Sequence, residues 1–322
     1  MDVISKSKIW LSISSVLIIA SIVSLLIFGL KLGVDFTGGS LLEIKYLQAR
    51  PEVNVMQEKL ADLEIGNINI QPVGEQNVIL RFKEVSEEKH QAILNRLSSI
   101  EEISDEINKE ESNAIAITED GKEVTEKFNS SVIEEQRFDS VGPSIGQELK
   151  TKSLYAIVIV LILIVAYIAW AFRRVSKPVA SWKYGLSAIV ALFHDTLIVL
   201  GIFAILGKFF NVELDTAFIA AILTVLGYSV NDTIVVFDRV RENLPKSHDD
   251  FSSTINTSLN QTIGRSINTS ITTLLVLLSI LFFGGETIKY FVLALTIGVI
   301  AGTYSSIFLA SPLLVLWEKV KK

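Results

Sequence analysis

The chain has 322 residues, half of them hydrophobic, a formal net charge of −6 and no cysteine. Thiolate metal sites, thiol nucleophiles and disulfides are therefore excluded, and three histidines (His90, His194, His248) are too few for a multi-histidine metal centre. The apolar residues fall in long blocks and the mean hydropathy is positive, which excludes a soluble enzyme and marks a polytopic α-helical membrane protein.

In chain order the first block is Ile9–Leu30, preceded by Lys6 and Lys8. Its apolar core runs to about 20 residues, longer than the heart of a signal peptide, and no small-x-small cleavage site follows. Residues 1–32 therefore read as an uncleaved transmembrane helix.

Residues 33–150 are acidic, water-facing and long enough for one small core, an extracytoplasmic α+β domain. Leu42, Ile44 and Tyr46, alternating with Glu43 and Lys45, predict a half-buried strand. Asn54 and Gln57 have the spacing of a capping box, opening a helix that faces inward with Met56, Leu60 and Leu63 and closes at Gly66. Ile68 and Ile70 begin a second strand, and a turn at Gly74–Asn77 leads into a third carrying Val78, Leu80 and Phe82. Ser86 caps a longer helix with Ile93, Leu97, Ile100, Ile103 and Ile107, Glu110–Ser131 reads as a loop or short helix, and Val132–Phe138 as a last strand. The order is that of a ferredoxin-like domain. Two glycine-rich segments bracket it, one with Asp35, Gly38 and Gly39, the other with Gly142, Pro143 and Gly146, and both read as structural hinges.

Residues 151–322 hold the remaining blocks, Leu154–Phe172, Tyr184–Leu206, Leu214–Phe237, Ile267–Phe283 and Tyr290–Leu316, for about six spans in all. Between the fourth and fifth, Phe251, Ile255, Leu259 and Ile263 make one apolar face, which predicts an amphipathic segment near 250–264 lying at the cytoplasmic interface. Lys and Arg gather at Lys6 and Lys8, at Arg173, Arg174, Lys177 and Lys183, at Arg239, Arg241 and Lys246, and at Lys319, Lys321 and Lys322. With six spans these clusters share one side, which places both termini in the cytoplasm. In the last span Ala294, Gly298, Gly302, Ser306 and Ala310 recur every fourth residue and predict close helix packing.

Three polar features interrupt the spans. His194-Asp195 lies near the middle of the third, Asn231-Asp232 in the inner half of the fourth, and Arg265 about one turn before the fifth. An intramembrane carboxylate costs about 2.5–3.5 kcal/mol at mid-bilayer on insertion scales, so each needs a reason. Asp232 and Arg265 fall at similar depth, and an ion pair between them would offset part of that cost. Proton or ion path and structural pair are both open readings for these two. His194, Asp195 and Asn231 fit a proton relay or a helix-pairing contact.

Taken in order, DFTGGS at Asp35, VGPSIGQEL at Val141, the His194-Asp195 pair, GYSVNDTIVVFDRVREN from Gly227, QTIGRS from Gln261 and the Phe283-Gly284-Gly285 turn resemble the SecF subunits of the bacterial Sec protein-translocation machinery, relatives of the RND transporters. The resemblance implies half of an RND-like arrangement, completed by a SecD-like partner. It also implies association with the SecYEG channel and use of the proton-motive force to draw preproteins across the inner membrane. Asp232 and Arg265 match the family's proton-path positions, and a further carboxylate of that path comes from the partner. It implies YajC- and YidC-like accessory proteins and membrane lipids as neighbours, no nucleic acid, no cofactor and no enzymatic activity. The rival readings are a proton-driven RND-type exporter of small molecules or lipids, and a translocon scaffold that transduces nothing.

Overall fold

The computed structural model describes residues 2–109, 133–172 and 180–319, and of 101–109, Ser181 and Glu286 only the backbone. The segment expected as a loop at Glu110–Ser131, the basic residues Arg173, Arg174 and Lys177, and Lys321 and Lys322 lie outside the described residues. The chain divides into two compact units, Met1–Leu32 with Thr151–Lys322, and Gly33–Lys150.

In the Gly33–Lys150 unit a short helix α2 (Val34–Thr37) precedes β1 (Gly39–Tyr46), α3 (Val53–Leu60), β2 (Asn69–Val73), β3 (Asn77–Phe82), α4 (Glu87–Lys109) and β4 (Ile133–Val141). The sheet order β2-β3-β1-β4, antiparallel throughout, is the ferredoxin-like order. Leu42, Ile44 and Tyr46 point inward with Val78 and Leu80, and Met56, Leu60, Ile93 and Leu97 cover them from the helices.

Two local expectations fail here. Helix α3 starts at Val53 behind Glu52, which makes no side-chain cap, so Asn54 lies inside the helix and the capping box does not form. The extended Glu52 that follows Pro51 hands its carbonyl to Met56 N–H, and this starts the helix earlier. Glu43, expected to be solvated, is buried, opposite Arg137 on β4 where the β1–β4 register shifts.

Both glycine-rich segments have defined local geometry. Asp35 sits in α2, and Pro143 is the first residue of α5 (Pro143–Ala171), a position where its missing N–H costs nothing. Gly38 (φ +76°) and Gly39 (φ +126°) use the left-handed region, and a Cβ on Gly38 would lie 2.8 Å from the Pro143 backbone. Gly146 approaches the Phe36 and Gly38 backbone as closely, at 3.0–3.2 Å, so the two segments buckle against each other.

The other unit is helical. The helices long and apolar enough to cross a membrane are Ser7–Phe28, Pro143–Ala171, Trp182–Phe210, Thr216–Asn243, Phe251–Phe283 and Thr287–Lys319, six among the described residues. We label them α1 (Ser7–Phe28), α5, α6 (Ser181–Phe210), α7 (Thr216–Asn243), α8 (Phe251–Phe283), and α9 (Glu286–Ser305) with α10 (Ser311–Lys319). Their ends obey local chemistry. Gly29 (φ +66°) closes α1, Asn211 (φ +61°) closes α6, and the Asp215 carboxylate caps α7 by accepting from Phe218 N–H at 2.8 Å.

Helix α1 runs parallel to α6. Ser21 lies against Gly201, where a Cβ would come within 2.5 Å, and Lys31 Nζ meets Asn211 at 2.5 Å and Glu213 at 3.2 Å. The amphipathic segment expected near 250–264 forms the first half of the continuous α8. Phe251, Ile255 and Leu259 are buried in the bundle core because Val3 and Ile4 fold over them, their N–H groups donating to Asn256 Oδ1 at 3.0 and 3.5 Å.

The last span is broken in a way the sequence reading passed over. Between α9 and α10 the turn Ser306–Ala310 is π-helical. Pro312 follows directly and can neither donate to the residue four back nor tolerate its carbonyl, so the ladder widens.

Candidate functional site

Helix α7 is the axis of the site. The small-residue stripe of α9 packs on it in parallel register. A Cβ on Gly298 would lie 2.1 Å from Val225, and one on Gly302 2.9 Å from Ser229. Ala294 is fully buried along the same line. This close approach brings backbone and hydroxyls to α7 where larger side chains would hold them off.

One turn beyond Ser229 sits Asp232, buried. Its Oδ1 accepts from Ser266 Oγ of α8 at 2.5 Å and its Oδ2 from Ser306 Oγ of the π-turn at 2.6 Å. Ser306 was expected to do no more than pack; it holds the carboxylate. A second cluster, one turn along α7, centres on Asp195 of α6, whose Oδ2 accepts from Ser229 at 2.5 Å and from Ser305 at 2.7 Å. His194 Nδ1 lies 2.9 Å from Asp195 Oδ1. A third set joins Tyr228, Ser270 and Thr303 at 3.1 and 2.6 Å. Four helices are thus threaded by hydroxyls and two carboxylates.

The ion pair expected between Asp232 and Arg265 is not formed. Successive helical residues point 100° apart, so Ser266 facing Asp232 turns Arg265 to the outer surface, where it is exposed. Asn231 likewise points outward on α7. With them on that outer face lie Ala220, Thr224 and Gly227 of α7 and Gly264, Asn268 and Thr269 of α8, all exposed. A Cβ on Gly227 or Gly264 would meet nothing within 4 Å. Ile267 and Ile271 of α8 are exposed beside them, so this face mixes small, polar and branched apolar residues, whereas Leu154, Ile162 and Phe283 mark more apolar faces elsewhere.

The sequence reading missed Ser229, Ser266, Ser305, Ser270 and Thr303. Their signal was present as hydroxyl residues inside apolar spans, but only the fold shows which of them share a carboxylate. Among the described residues no cluster of His, Asp and Glu is placed to hold a metal ion.

A bundle of six spans interrupted by one ferredoxin-like domain, with buried carboxylates on its central helices, defines a polytopic transporter-like membrane protein. A model of "Protein export membrane protein SecD/SecF, C-terminal" matches residues 121–320, and the SecD/SecF GG motif matches residues 23–46. SecF translocase subunits from Thermobaculum terrenum and Anaerolinea thermophila are 42% and 35% identical over 98% and 99% of this chain and 94% of each relative. The crystal structure of SecDF, a translocon-associated membrane protein from Thermus thermophilus, superposes with a TM-score of 0.78 at 28% identity. It covers 99% of this chain, which spans only 39% of that longer one. The chain belongs to the SecD/SecF family, as the resemblance implied.

Proposed function

We propose that this chain is the SecF-like half of a proton-driven assistant to protein export. In this reading it pairs with a SecD-like subunit in the bacterial inner membrane, with both termini cytoplasmic. The pair works beside a SecYEG-type channel on preproteins, with YajC- and YidC-like proteins and lipids as neighbours. It needs no cofactor and performs no covalent chemistry.

The observation that carries the reading is Asp232, a buried carboxylate whose partners are two neutral hydroxyls on two other helices. Among the described residues no cation is paired with it. An ionised carboxylate only accepts hydrogen bonds, whereas a protonated one donates. Protonation therefore forces Ser266 or Ser306 to reverse its role, and the change is felt at α8 and at the π-turn together. Arg265 and Asn231 border the uncovered face, where a SecD-like partner would bring the opposing carboxylate that the family resemblance implies.

The test is Asp232→Asn in the full complex. Proton-dependent export should fall to the level of cells lacking the chain, while co-purification with the SecD-like subunit and the channel persists. Normal export by this variant would sink the proposal. Lost co-purification would favour a scaffold, since the two serines already satisfy the carboxylate as a helix-pairing contact. Retained export with accumulation of a small molecule or lipid would point to an exporter.

A further inference from the structure

The second buried carboxylate, Asp195, has a base beside it. Ser229 and Ser305 donate to its Oδ2, and with the carboxylate ionised the hydrogen shared between Oδ1 and His194 would sit on Nδ1. Nε2 of the neutral ring then carries a lone pair. That atom is buried and has no hydrogen-bond partner.

The ring lies at a seam of three helices. It stacks on Tyr304 of α9, with centroids 5.9 Å apart and 21° between planes. The Tyr304 hydroxyl donates to the Trp10 carbonyl of α1 at 3.1 Å and accepts from Ser14 at 3.3 Å. Trp10 Nε1 is buried against Phe308 without a hydrogen-bond partner, and so is Ser187 Oγ, about two turns before His194 on α6. Buried polar atoms are paired by protein or by water. Trp10 Nε1, Ser187 Oγ and His194 Nε2 are thus three buried polar atoms unpaired by protein on α1 and α6.

We propose that His194 and Asp195 form a second ionisable centre of the bundle, reached by water along the α1–α6–α9 seam and coupled to Asp232 through the consecutive hydroxyls of Ser305 and Ser306. Ser305 holds Asp195 and Ser306 holds Asp232, with one peptide unit between them at the start of the π-turn. A proton taken at Nε2 leaves an imidazolium held by Asp195. Any turn of Ser305 that follows is passed to Ser306. The titratable groups facing the dyad are Tyr304 of α9 and, across the two serines, Asp232 of α7; α7 otherwise contributes Ser229, and α1 contributes Ser14 and Trp10.

Its use in transport rests on the reading of Asp232 given above, but its test does not. The full chain, 15N-labelled at histidine and held in lipid nanodiscs, carries three imidazoles, and the signal missing in His194→Gln is that of His194. We expect this signal to respond to bulk pH. Asp232→Asn removes the group coupled to the ring through Ser306 and Ser305, so the pH response of the His194 signal should change. Ser306→Ala, which keeps the charge and cuts the relay, should change it as well, and serves if Asp232→Asn fails to fold. A His194 signal that ignores pH overturns the centre. A pH response unchanged by either substitution overturns the coupling. Lost export in Asp232→Asn with an unresponsive His194 would leave the proposed function standing and remove this inference alone.

Discussion

In the Gly33–Lys150 unit the large side chains sealed from solvent are Leu42, Ile44, Tyr46, Met56, Leu60, Leu80, Ile93 and Leu97, and the buried polar ones described there are Ser40, Glu43 and His90. At the centre of the membrane helices they include Ser229, Ser305, Ser306, Ser311, Thr233 and two carboxylates, with Gly298 and Gly302 against α7, while Phe283 is 91% exposed. Apolar side chains such as Phe172, Phe203 and Phe237 are sealed there as well, and the added polar groups follow from the solvent. In water, removing apolar surface drives folding at roughly 25 cal/mol per Å². In a bilayer the tails are as apolar as leucine, so helices are held by close packing and by hydrogen bonds between them. The domain's core is therefore closed almost wholly by apolar side chains, whereas the bundle's core adds to its apolar side chains a set of hydroxyls and carboxylates that bond across helices.

The sharpest way to break this comparison is at the α7–α9 contact. Gly298→Leu drives a side chain into Val225, 2.1 Å from where its Cβ would stand, with the α7 backbone behind it. We expect loss of the folded bundle, read as aggregation on size exclusion in detergent. Gly264→Leu, where a Cβ meets nothing within 4 Å, should leave the isolated chain intact and instead weaken co-purification with a partner. A well-behaved Gly298→Leu chain would show that small-residue packing is not what holds the spans.

A smaller effect belongs to the domain. Leu80→Ala removes a fully buried side chain between Val78 and Phe82 on β3, at a cost of about 2–5 kcal/mol for such a truncation. Hydrogen exchange on the full chain should show faster exchange throughout β1 and β3 and unchanged protection in α7. Equal loss of protection in both would deny that the two cores are separately held.

Legibility in the sequence follows the same division. The period-2 pattern of Leu42, Ile44 and Tyr46 and the 3.6-period pattern of Ile93, Leu97 and Ile100 were enough to order the domain's elements, because in water one buried face writes itself into the pattern. Long apolar runs likewise gave the spans, and the four-residue stripe gave the α9 packing face. What stayed hidden was which polar residues meet. Asp232 was singled out, but its partners Ser266 and Ser306 lie 34 and 74 residues away, and no local pattern joins them. Depth alone suggested Arg265, yet depth fixes position along a helix and says nothing of direction around it. One residue's rotation put Ser266 where the arginine was expected. The π-turn was legible in principle from Ser311-Pro312, but hydropathy ran through it without a break.

The smallest effect expected lies at the mouth of α8, where the helix leaves the loop after α7. Asp250 is fully exposed, and its carboxyl is held below the ordinary value of 3.8 chiefly by the hydrogen bond from Ser253 Oγ at 2.5 Å. A folded-state pKa below the unfolded one means that the carboxylate stabilises the folded form fully above the ordinary carboxylate range. The contribution is lost as pH falls through the folded value, when the acceptor takes a proton. Asp250→Ala should therefore speed exchange of the first-turn amides of α8 modestly at neutral pH, and the difference from the parent should vanish in strong acid. Solvent screening keeps the effect local, because an exposed carboxylate interacts through high dielectric. A difference that persisted in acid would assign the loss to packing of the side chain instead of its charge. A difference that spread to Asp232 and the π-turn would mean that the entry to α8 and the carboxylate at its middle are one cooperative unit, and the polar core would then extend further than its hydrogen bonds trace.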